Sequence, residues 1–291
     1  MAKNIRRVGL IANTEKASSR RLVREAAKLL QSSRRTILAD TATGRLAGLR
    51  CATCPDAPAL ARRVDLLMVF GGDGTMLRVA RDVAEHSPPI LGINAGALGF
   101  LTAAQAHQLR TALKQLGSGQ TRLETRPLIQ ATGRARGRDI SELALNDFVI
   151  TRGAAPRLIE LDVHVDGEVL TRYRCDGLIV CSPTGSTAYS LSAGGAVVSP
   201  SADVLTLTPI CPHTLSNRSV IVSLHSTLQV KVLSPKVETI LTADGQKTIT
   251  LGAGDIVTIR RSRHSVRLVH LAGSSFFDTL RRKLNWSGSH V

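Results

Sequence analysis

The residues Gly71-Gly72-Asp73-Gly74-Thr75 form a turn whose composition suits phosphate chemistry. They follow the apolar run from Val64 to Phe70 and precede a segment with helical spacing. Glycines let the backbone approach a phosphate closely, and a helix N-terminus directs N–H groups at negative charge. The turn lacks the Gly-Lys-Ser/Thr ending of a Walker A loop. A carboxylate beside phosphates repels them unless it acts on Mg²⁺ or on the attacking hydroxyl, so Asp73 is a candidate for one of these two roles. The alternative is a helix-capping aspartate in a glycine-rich turn.

A second candidate site is the stretch from Ser182 to Gly195, which is rich in small and hydroxyl-bearing residues. It follows the apolar run from Gly177 to Cys181, and its backbone amides and hydroxyls suit a polar ligand. A flexible Ser/Gly linker is the alternative, but Tyr189 and Leu191 have no place in a solvated linker. The composition therefore predicts a ligand-binding loop.

Isolated polar residues give weaker signals. Asn146-Asp147 follows a short apolar run, and Asp176 precedes the ligand-binding loop. Carboxylates are common partners of ribose hydroxyls, although each of these residues alone is more often a turn or capping residue. Cys51 and Cys54 form a CxxC without a second ligand pair, so we interpret them as incidental thiols. No His, Cys and Asp residues have the spacing of a protein-bound metal site.

The first third of the chain alternates strand and helix patterns. Strands are predicted at 7–13, 64–70 and 90–93, and helices at 18–32, 76–85 and 104–116. Ser18 or Ser19 is the predicted cap of the first helix. The turn from Asn94 to Phe100 is equally compatible with a structural loop and with a ligand contact. Strands that alternate with helices predict a parallel sheet covered on both faces.

After about residue 120, short β-branched runs follow one another. The clearest pattern is a hairpin of 158–165 and 168–173 around the Asp166-Gly167 turn. Further strands are predicted at 228–233, 239–242 and 256–260, and residues 276–284 return to helical spacing. The pattern therefore predicts an α/β domain, then a β-rich domain, then a C-terminal helix.

The composition narrows the choice of partners. The 291 residues include 43% hydrophobic residues and carry a formal net charge of +16. This charge favours polyanionic ligands such as dinucleotides and triphosphates. Scattered arginines, without an RNP sequence or paired zinc ligands, argue against specific nucleic-acid binding. No apolar run reaches the ~18 residues of a membrane span and the N-terminus lacks a signal-peptide pattern, so we expect no membrane association and a cytoplasmic location.

Taken together, the motifs resemble the NAD kinase family over nearly the whole chain. They are Gly71-Gly72-Asp73-Gly74-Thr75; Gly92-Ile93-Asn94 through Gly99-Phe100-Leu101; Leu145-Asn146-Asp147; Asp176-Gly177 with Ser182-Pro183-Thr184-Gly185-Ser186-Thr187-Ala188-Tyr189; Pro209 through Ser216; and Asp244-Gly245-Gln246. The first motif alone is shared with diacylglycerol-type lipid kinases and is similar to a turn of phosphofructokinases. The order of all these motifs is specific to the NAD kinase family.

The resemblance implies an architecture. A Rossmann-like or phosphofructokinase-like α/β domain would span 1–105, and a β-sandwich-like, NAD-binding domain would span 106–267. The C-terminal segment, 268–291, would pack back on the α/β domain. The resemblance also implies a homodimer or homotetramer, with NAD bound between domains and partly by a neighbouring subunit.

The resemblance further implies which residues bind substrates. Asp73 would contact the adenosine ribose and act as general base, with Gly74 and Arg78 in the same turn and helix. The ribose and nicotinamide parts of NAD would be held by Asn146, Asp147 and Asp176. The adenine and diphosphate path would be lined by Thr187, Ala188, Tyr189, Ser190, Leu191 and Ser192. Further implied contacts are Arg157, Arg174 and Gln246. Because Arg174 directly precedes Cys175-Asp176, we expect its side chain to pair with Asp176 or with a phosphate.

Phosphoryl transfer needs in-line positioning, Mg²⁺ on the phosphates, and a group that orients or deprotonates the nucleophile. We therefore expect NAD as the acceptor substrate, ATP or inorganic polyphosphate as donor, and Mg²⁺ or another divalent cation with ATP. Two alternatives stay open. A lipid kinase of the diacylglycerol type would share the glycine-rich turn but would not require the loop from Thr184 to Tyr189. A non-catalytic sensor of NAD or nucleic acid would not need Asp73.

Overall fold

The computed structural model describes residues 5–96, 99–154, 157–213 and 218–286. The chain divides into two compact units: one combines Met1–Thr125 with Ser265–Val291, and the other is Arg126–His264. The domain boundaries predicted from the sequence, after residues 105 and 267, stay predictions.

Within the described residues the α-helices are α1 (Ala17–Ser32), α2 (Thr41–Ala47), α3 (Ala57–Ala61), α4 (Asp73–Asp82), α5 (Leu109–Ser118), α6 (Tyr189–Ser192) and α7 (Phe276–Leu284). Short 3₁₀-helices span Ala106–Gln108 and Thr184–Thr187. No helix among the described residues is long and apolar enough to cross a bilayer; the cytoplasmic location stays a prediction.

The strands are β1 (Arg7–Ala12), β2 (Thr36–Asp40), β3 (Ala52–Cys54), β4 (Leu66–Phe70), β5 (Ile90–Asn94), β6 (Ala104–Gln105), β7 (Thr121–Ala135), β8 (Arg138–Ala144), β9 (Asp147–Arg152), β10 (Ile159–Val165), β11 (Glu168–Cys175), β12 (Gly177–Cys181), β13 (Val204–Ile210), β14 (Val220–Ser223), β15 (Leu228–Val232), β16 (Thr239–Ala243), β17 (Lys247–Leu251) and β18 (Ile256–Leu271).

The first unit is built on a parallel sheet with the strand order β5-β4-β1-β2-β3. Strands β4 and β5 are buried along their whole length, as expected for a parallel sheet that helices cover on both faces. Leu22, Val23 and Leu30 of α1 join Val8 and Leu10 of β1 in one hydrophobic cluster. The predicted α/β domain is confirmed.

The C-terminal segment belongs to this first unit. Leu268 of β18 pairs with Ile90 of β5 in parallel. The ring of Phe276 in α7 lies 6.2 Å from the ring of Phe100, centroid to centroid. The expected return of the C-terminal segment to the first domain is therefore confirmed.

The second unit contains two sheets that share one core. One is antiparallel with the order β14-β13-β12-β9-β16-β17, and the other contains β11, β10, β15 and the start of β18, together with the β7-β8 pair. Leu178 and Val180 of β12 cluster with Leu161 and Val163 of β10. Alternate residues of each strand face this core, which confirms the β-sandwich-like domain.

Local signals predicted some elements well. The hairpin of β10 and β11 is confirmed, and both turn residues, Asp166 (φ +53°) and Gly167 (φ +89°), adopt the left-handed conformation that a two-residue hairpin requires. The C-terminal helix is confirmed as α7, where the Ser275 side chain accepts the N–H of Asp278.

Several predicted helix ends were wrong. The N-cap of α1 is Lys16, ahead of Ser18 and Ser19. Helix α4 begins at Asp73 instead of residue 76, because Gly72 is the N-cap and an aspartate in the first turn favours the helix N-terminus. The helix predicted from residue 104 begins only at Leu109, after a two-residue strand and a 3₁₀ turn.

Candidate active site

The predicted phosphate turn joins β4 directly to α4. It therefore lies at the carboxyl end of a fully buried strand. A β-carbon on Gly71 would overlap the side chain of Thr75, whereas one on Gly72 would meet nothing within 4 Å. Gly71 thus makes the turn tight, and Gly72 leaves an open approach to the backbone amides of the first helical turn.

Two backbone amides hold the carboxylate of Asp73. Oδ2 accepts the N–H of Phe100 at 2.8 Å, and Oδ1 accepts the N–H of Leu101 at 3.1 Å. This approach requires Gly99, because a β-carbon there would overlap the Asp73 carboxylate. The end of the turn from Asn94 to Phe100 therefore orients the candidate base.

Three neighbouring strands end in register at this edge of the sheet. The N–H of Asn13 donates to the Phe70 carbonyl at 2.8 Å, and the N–H of Gly71 donates to the Ile93 carbonyl at 3.0 Å. The direction in which strands are added to the sheet reverses between β1 and β4. Open α/β sheets bind ligands outside the carboxyl ends of strands at such a switch point. Asp73 lies at this point.

The six-stranded sheet of the second unit has an outer face, on the side away from the sandwich core. Ile179 and Cys181 of β12 pack there with Val149 of β9. By the alternation of side chains, Asp147 of β9 and Thr206 of β13 belong to the same face. Both are buried, so this face is lined by polar as well as apolar groups.

Asp244 fixes the backbone of the predicted Asn146-Asp147 pair. Its carboxylate accepts the N–H groups of Leu145 at 3.1 Å, Asn146 at 2.7 Å and Asp147 at 3.2 Å. The N–H of Ser182 donates to the Asn146 carbonyl at 2.9 Å. The start of β9 and the ends of β12 and β16 therefore meet at one end of the sheet, in a rigid arrangement.

Asp147 titrates near neutral pH. Burial, and then the nearby charge of Asp244, raise the pKa of the Asp147 carboxyl to about 7. Cys181 lies opposite Asp147 in the β9-β12 ladder, and burial raises the pKa of its thiol to about 12. Cys181 is therefore a neutral thiol, whereas Asp147 changes charge in a range typical of functional carboxyls.

The ligand-binding loop predicted from the sequence is anchored by buried hydroxyls. It folds as the 3₁₀-helix Thr184–Thr187 followed by α6. Ser186 Oγ accepts the N–H of Val198 at 3.0 Å, and Ser190 Oγ lies 3.0 Å from Thr208 Oγ1. Tyr189 is 45% exposed in the same segment. The loop thus has a fixed base and presents an aromatic side chain at its surface.

Asp176 lies at the opposite end of β12 from Ser182. Its Oδ1 accepts Arg152 Nε at 2.7 Å, so Arg152, instead of Arg174, pairs with it, and the alternative pairing of Arg174 with a phosphate stays a prediction. The reason is the strand ladder, in which the N–H of Arg152 also donates to the Asp176 carbonyl at 3.1 Å. Arg174 has an exposed side chain, and its carbonyl accepts the N–H of His213 at 2.8 Å.

The predicted contacts therefore fall into four groups. The first unit holds Asp73, the exposed Gly74, and Arg78, which pairs with Asp82 at 3.4 Å. One end of the six-stranded sheet holds Asn146, Asp147, Thr187 and Gln246. The residues that follow Thr187 lie along the outer face of the sheet, where Ser190 contacts Thr208; they are Ala188, Tyr189, Ser190, Leu191 and Ser192. The other end holds Arg157, Arg174 and Asp176. Part of the motif from Pro209 through Ser216 lies outside the described residues, which omit 214–217.

Some positioning residues were missed from the sequence. Asp244 stands in a motif that was recognised, but only Gln246 of that motif was predicted as a contact. Arg126 is 4% exposed and donates from Nη1 to Thr184 Oγ1 at 3.2 Å; no local pattern indicated it. Gly99 was part of a recognised motif, but its close approach to Asp73 has no sequence signal of its own.

Family models match both parts of the chain. The model described as the ATP-NAD kinase N-terminal domain matches residues 8–121, and the model described as the ATP-NAD kinase C-terminal domain matches residues 145–271. The NAD kinase of Moorella thermoacetica is 41% identical over 288 residues, which cover 98% of this chain and 91% of that relative.

Two solved structures are similar to this chain over most of its length. Yeast NADH kinase complexed with NADH matches with a TM-score of 0.89 at 27% identity, covering 99% of this chain and 90% of that one. An NAD kinase from Archaeoglobus fulgidus in complex with ATP matches with a TM-score of 0.74 at 28% identity, covering 97% of this chain and 100% of that one.

Proposed function

The chain belongs to the NAD kinase family, and we propose that it transfers the γ-phosphoryl group of ATP to the 2′-hydroxyl of the adenosine ribose of NAD, giving NADP. The observation that carries the chemistry is the Asp73 carboxylate, which two backbone amides orient at a glycine-rich turn on the carboxyl edge of a parallel sheet. A carboxylate so oriented beside phosphates supports phosphoryl transfer, in which it can act on the attacking hydroxyl.

Asp73 is the proposed general base. Each of its oxygens accepts one backbone N–H and keeps a lone pair for a further partner. One oxygen takes the 2′-hydroxyl proton as the hydroxyl oxygen attacks the γ-phosphorus, while the bond from that phosphorus to the β–γ bridging oxygen breaks and ADP leaves. The N-terminus of α4, with its positive end of the helix dipole, holds the donor phosphates in line.

We expect a divalent cation, Mg²⁺ by preference, to enter with ATP. No group of three or more His, Cys, Asp or Glu residues suited to a metal ion occurs within the described ranges. Mg²⁺ commonly binds through one or two carboxylates together with substrate phosphates and water. The single carboxylate of the turn, Asp73, fits such a site. When bound, the cation would neutralise charge on the transferring phosphoryl group.

We propose that NAD binds at the end of the six-stranded sheet where Asp244 fixes the Asn146-Asp147 pair. Carboxylate and amide groups there suit ribose hydroxyls, and the segment from Thr187 to Ser192 supplies backbone groups and an exposed aromatic ring. Gln246 extends from the turn after β16. The rigid backbone supports this assignment, because a preformed site loses little entropy when the ligand binds.

Arg157, Arg174 and Asp176 would reach a different NAD molecule. They lie at the other end of β12, a five-residue strand, and five residues span about 17 Å. We propose that they contact the NAD of a neighbouring subunit in a homodimer or homotetramer. In a symmetric oligomer each site would then combine residues of two chains.

The kinase activity is tested by incubating the purified chain with NAD, ATP and MgCl₂ and detecting NADP. Parallel reactions replace NAD by diacylglycerol, to test for a lipid kinase, and ATP by inorganic polyphosphate. Asp73→Asn should lower kcat by ~10²–10⁴-fold while NAD binding weakens far less. Asp203→Asn, at an exposed aspartate, is the matched control. Binding of NAD without turnover by the wild type would refute the kinase, and an unchanged kcat in Asp73→Asn would refute the base.

The shared site is tested by mixing two impaired variants and measuring activity at an NAD concentration well below the wild-type KM. Asp73→Asn lacks the base, and Asp176→Ala lacks the contact from the neighbouring chain, so a hybrid oligomer contains some sites with both residues intact. Random pairing of dimers restores up to roughly a quarter of wild-type activity. Activity no greater than the average of the separate variants would show that both residues serve the same chain's site.

A further inference from the structure

Lys16 lies in the loop that leaves β1, beside the phosphate turn. This loop starts at Asn13, whose N–H bonds to the last residue of β4, Phe70. The N–H of Gly71, the first residue after β4, donates to the carbonyl of Ile93 in β5. The loops after β1 and β5 therefore flank the glycine-rich turn from its two sides.

The side chain of Lys16 reaches from one of these loops to the other. A β-carbon built on Gly96, in the loop after β5, would lie 3.5 Å from Nζ of Lys16. Strands β1 and β5 are separated by β4, so the two loops start about 9–10 Å apart. Lys16 belongs to the loop after β1 while its ammonium lies beside the loop after β5, so this charge lies between the two loops that flank the glycine-rich turn.

We infer that the Lys16 ammonium binds the phosphate oxygens of the phosphoryl donor. This inference rests on the proposed kinase function and names a residue that donor binding requires. The glycine-rich turn contains no cation of its own, whereas it must hold a polyanion next to the negative charge of Asp73. A compact ammonium on a long stem supplies a point charge for phosphate.

The surroundings of Lys16 leave its charge available. Its side chain is exposed, and among the described residues no carboxylate forms an ion pair with it. The Asn94 amide oxygen lies on the same side of Gly96, at 3.6 Å from the same built β-carbon. A phosphate that enters over Gly72 would thus meet an uncommitted cation before it reaches Asp73.

The test variant is Lys16→Met, which keeps most of the aliphatic stem and removes the charge. Lys16 caps α1 through its backbone carbonyl, which accepts the N–H of Ser19 at 3.0 Å, so the helix start does not depend on the side chain. Loss of a hydrogen bond to a charged group should raise KM for ATP by roughly 10- to 100-fold. KM for NAD should stay within about threefold, because NAD contacts lie elsewhere.

Two further variants make the result specific. Lys16→Arg keeps the charge and should recover most of the affinity for ATP. Lys28→Ala removes an exposed lysine from the same helix, three turns further on, and should leave both KM values unchanged. Calorimetric titration of each variant with MgATP, without NAD, gives the donor affinity independently of turnover.

The outcomes separate this inference from the kinase function. If the wild type makes NADP and Lys16→Met binds MgATP as tightly as the wild type, the inference is overturned while the kinase stands. An increase in KM for NAD alone would place Lys16 on the acceptor and would also overturn it. If circular dichroism shows that Lys16→Met is unfolded, Lys16→Arg and Lys28→Ala provide the test instead. An equal loss of MgATP affinity in these two variants would refute a specific role of the Lys16 charge in donor binding. No NADP from the wild type would refute the kinase itself.

Discussion

Asp147→Asn should change how the stability of the protein depends on pH. Asp147 is 5% exposed as a residue, and its carboxyl is close to the charge of Asp244. Since its pKa is raised from 3.8 to about 7, the folded protein keeps this proton at pH values where the unfolded chain has lost it. The contribution to stability is therefore complete below about pH 4, falls as the pH rises, and is lost once the pH passes about 7.

The size of the effect follows from the pKa. Each pH unit within this window removes about 1.4 kcal/mol from the free energy of unfolding. From pH 5 to the folded-state pKa of about 7, the loss is about 3 kcal/mol. Asparagine has nearly the same shape and does not titrate. The variant therefore lacks this loss, and its stability relative to the wild type should increase by about 3 kcal/mol between pH 5 and pH 8.

Urea unfolding of both proteins at pH 5 and pH 8, followed by circular dichroism, measures this difference. Asp203→Asn, with an exposed side chain, controls for the general effect of replacing an aspartate. The quantity to compare is the difference in the free energy of unfolding between Asp147→Asn and wild type. If this difference changes by less than about 1 kcal/mol between pH 5 and pH 8, the reasoning is refuted. It would mean that Asp147 is better solvated than its burial indicates.

Three further predictions concern catalysis and substrate choice. Gly99→Ala should displace the Asp73 carboxylate and lower kcat by roughly 100-fold with little change in either KM; steady-state kinetics with an unchanged kcat would contradict this. Asp176→Ala and Tyr189→Ala should each raise KM for NAD by roughly tenfold and KM for ATP much less, whereas equal effects on both substrates would point to unfolding. The negative charge of Asp176 near the nicotinamide cation should favour NAD over NADH by about fivefold in kcat/KM. A wild-type ratio near one would remove the argument.

Features that depend on neighbouring residues could be predicted from the sequence. The alternation of strands and helices indicated a parallel sheet in the first unit, and the Asp166-Gly167 turn indicated a hairpin, because both follow from local periodicity and turn chemistry. The glycine-rich turn could be placed after a buried strand for the same reason. The composition of the segment from Ser182 to Gly195 predicted a ligand-binding loop, and its role in binding stays a prediction. Each of these features depends on residues that lie within about twenty positions of one another in the chain.

Helix ends and strand lengths were less predictable. The sequence suggested a strand at 256–260, but β18 continues to Leu271, since pairing partners from both units extend it. The first helical residue of α4 is Asp73, which a purely apolar pattern excluded. The strands and helices between residues 36 and 61 were not predicted, because each has too few residues to show a hydrophobic period.

Local sequence accounts for the chemical groups of this protein: a carboxylate in a glycine-rich turn, a hydroxyl-rich loop and scattered polar residues that together indicate NAD kinase. Which of these groups lie next to one another follows from the fold. Asp73 is held by the amide of Phe100, 27 residues away, and Asn146 by Asp244, 98 residues away. The fold also separated Asp176 from Asp147, although both were expected to bind one NAD. Strand order and register decide such distances, and they arise from long-range pairing that no local spacing encodes.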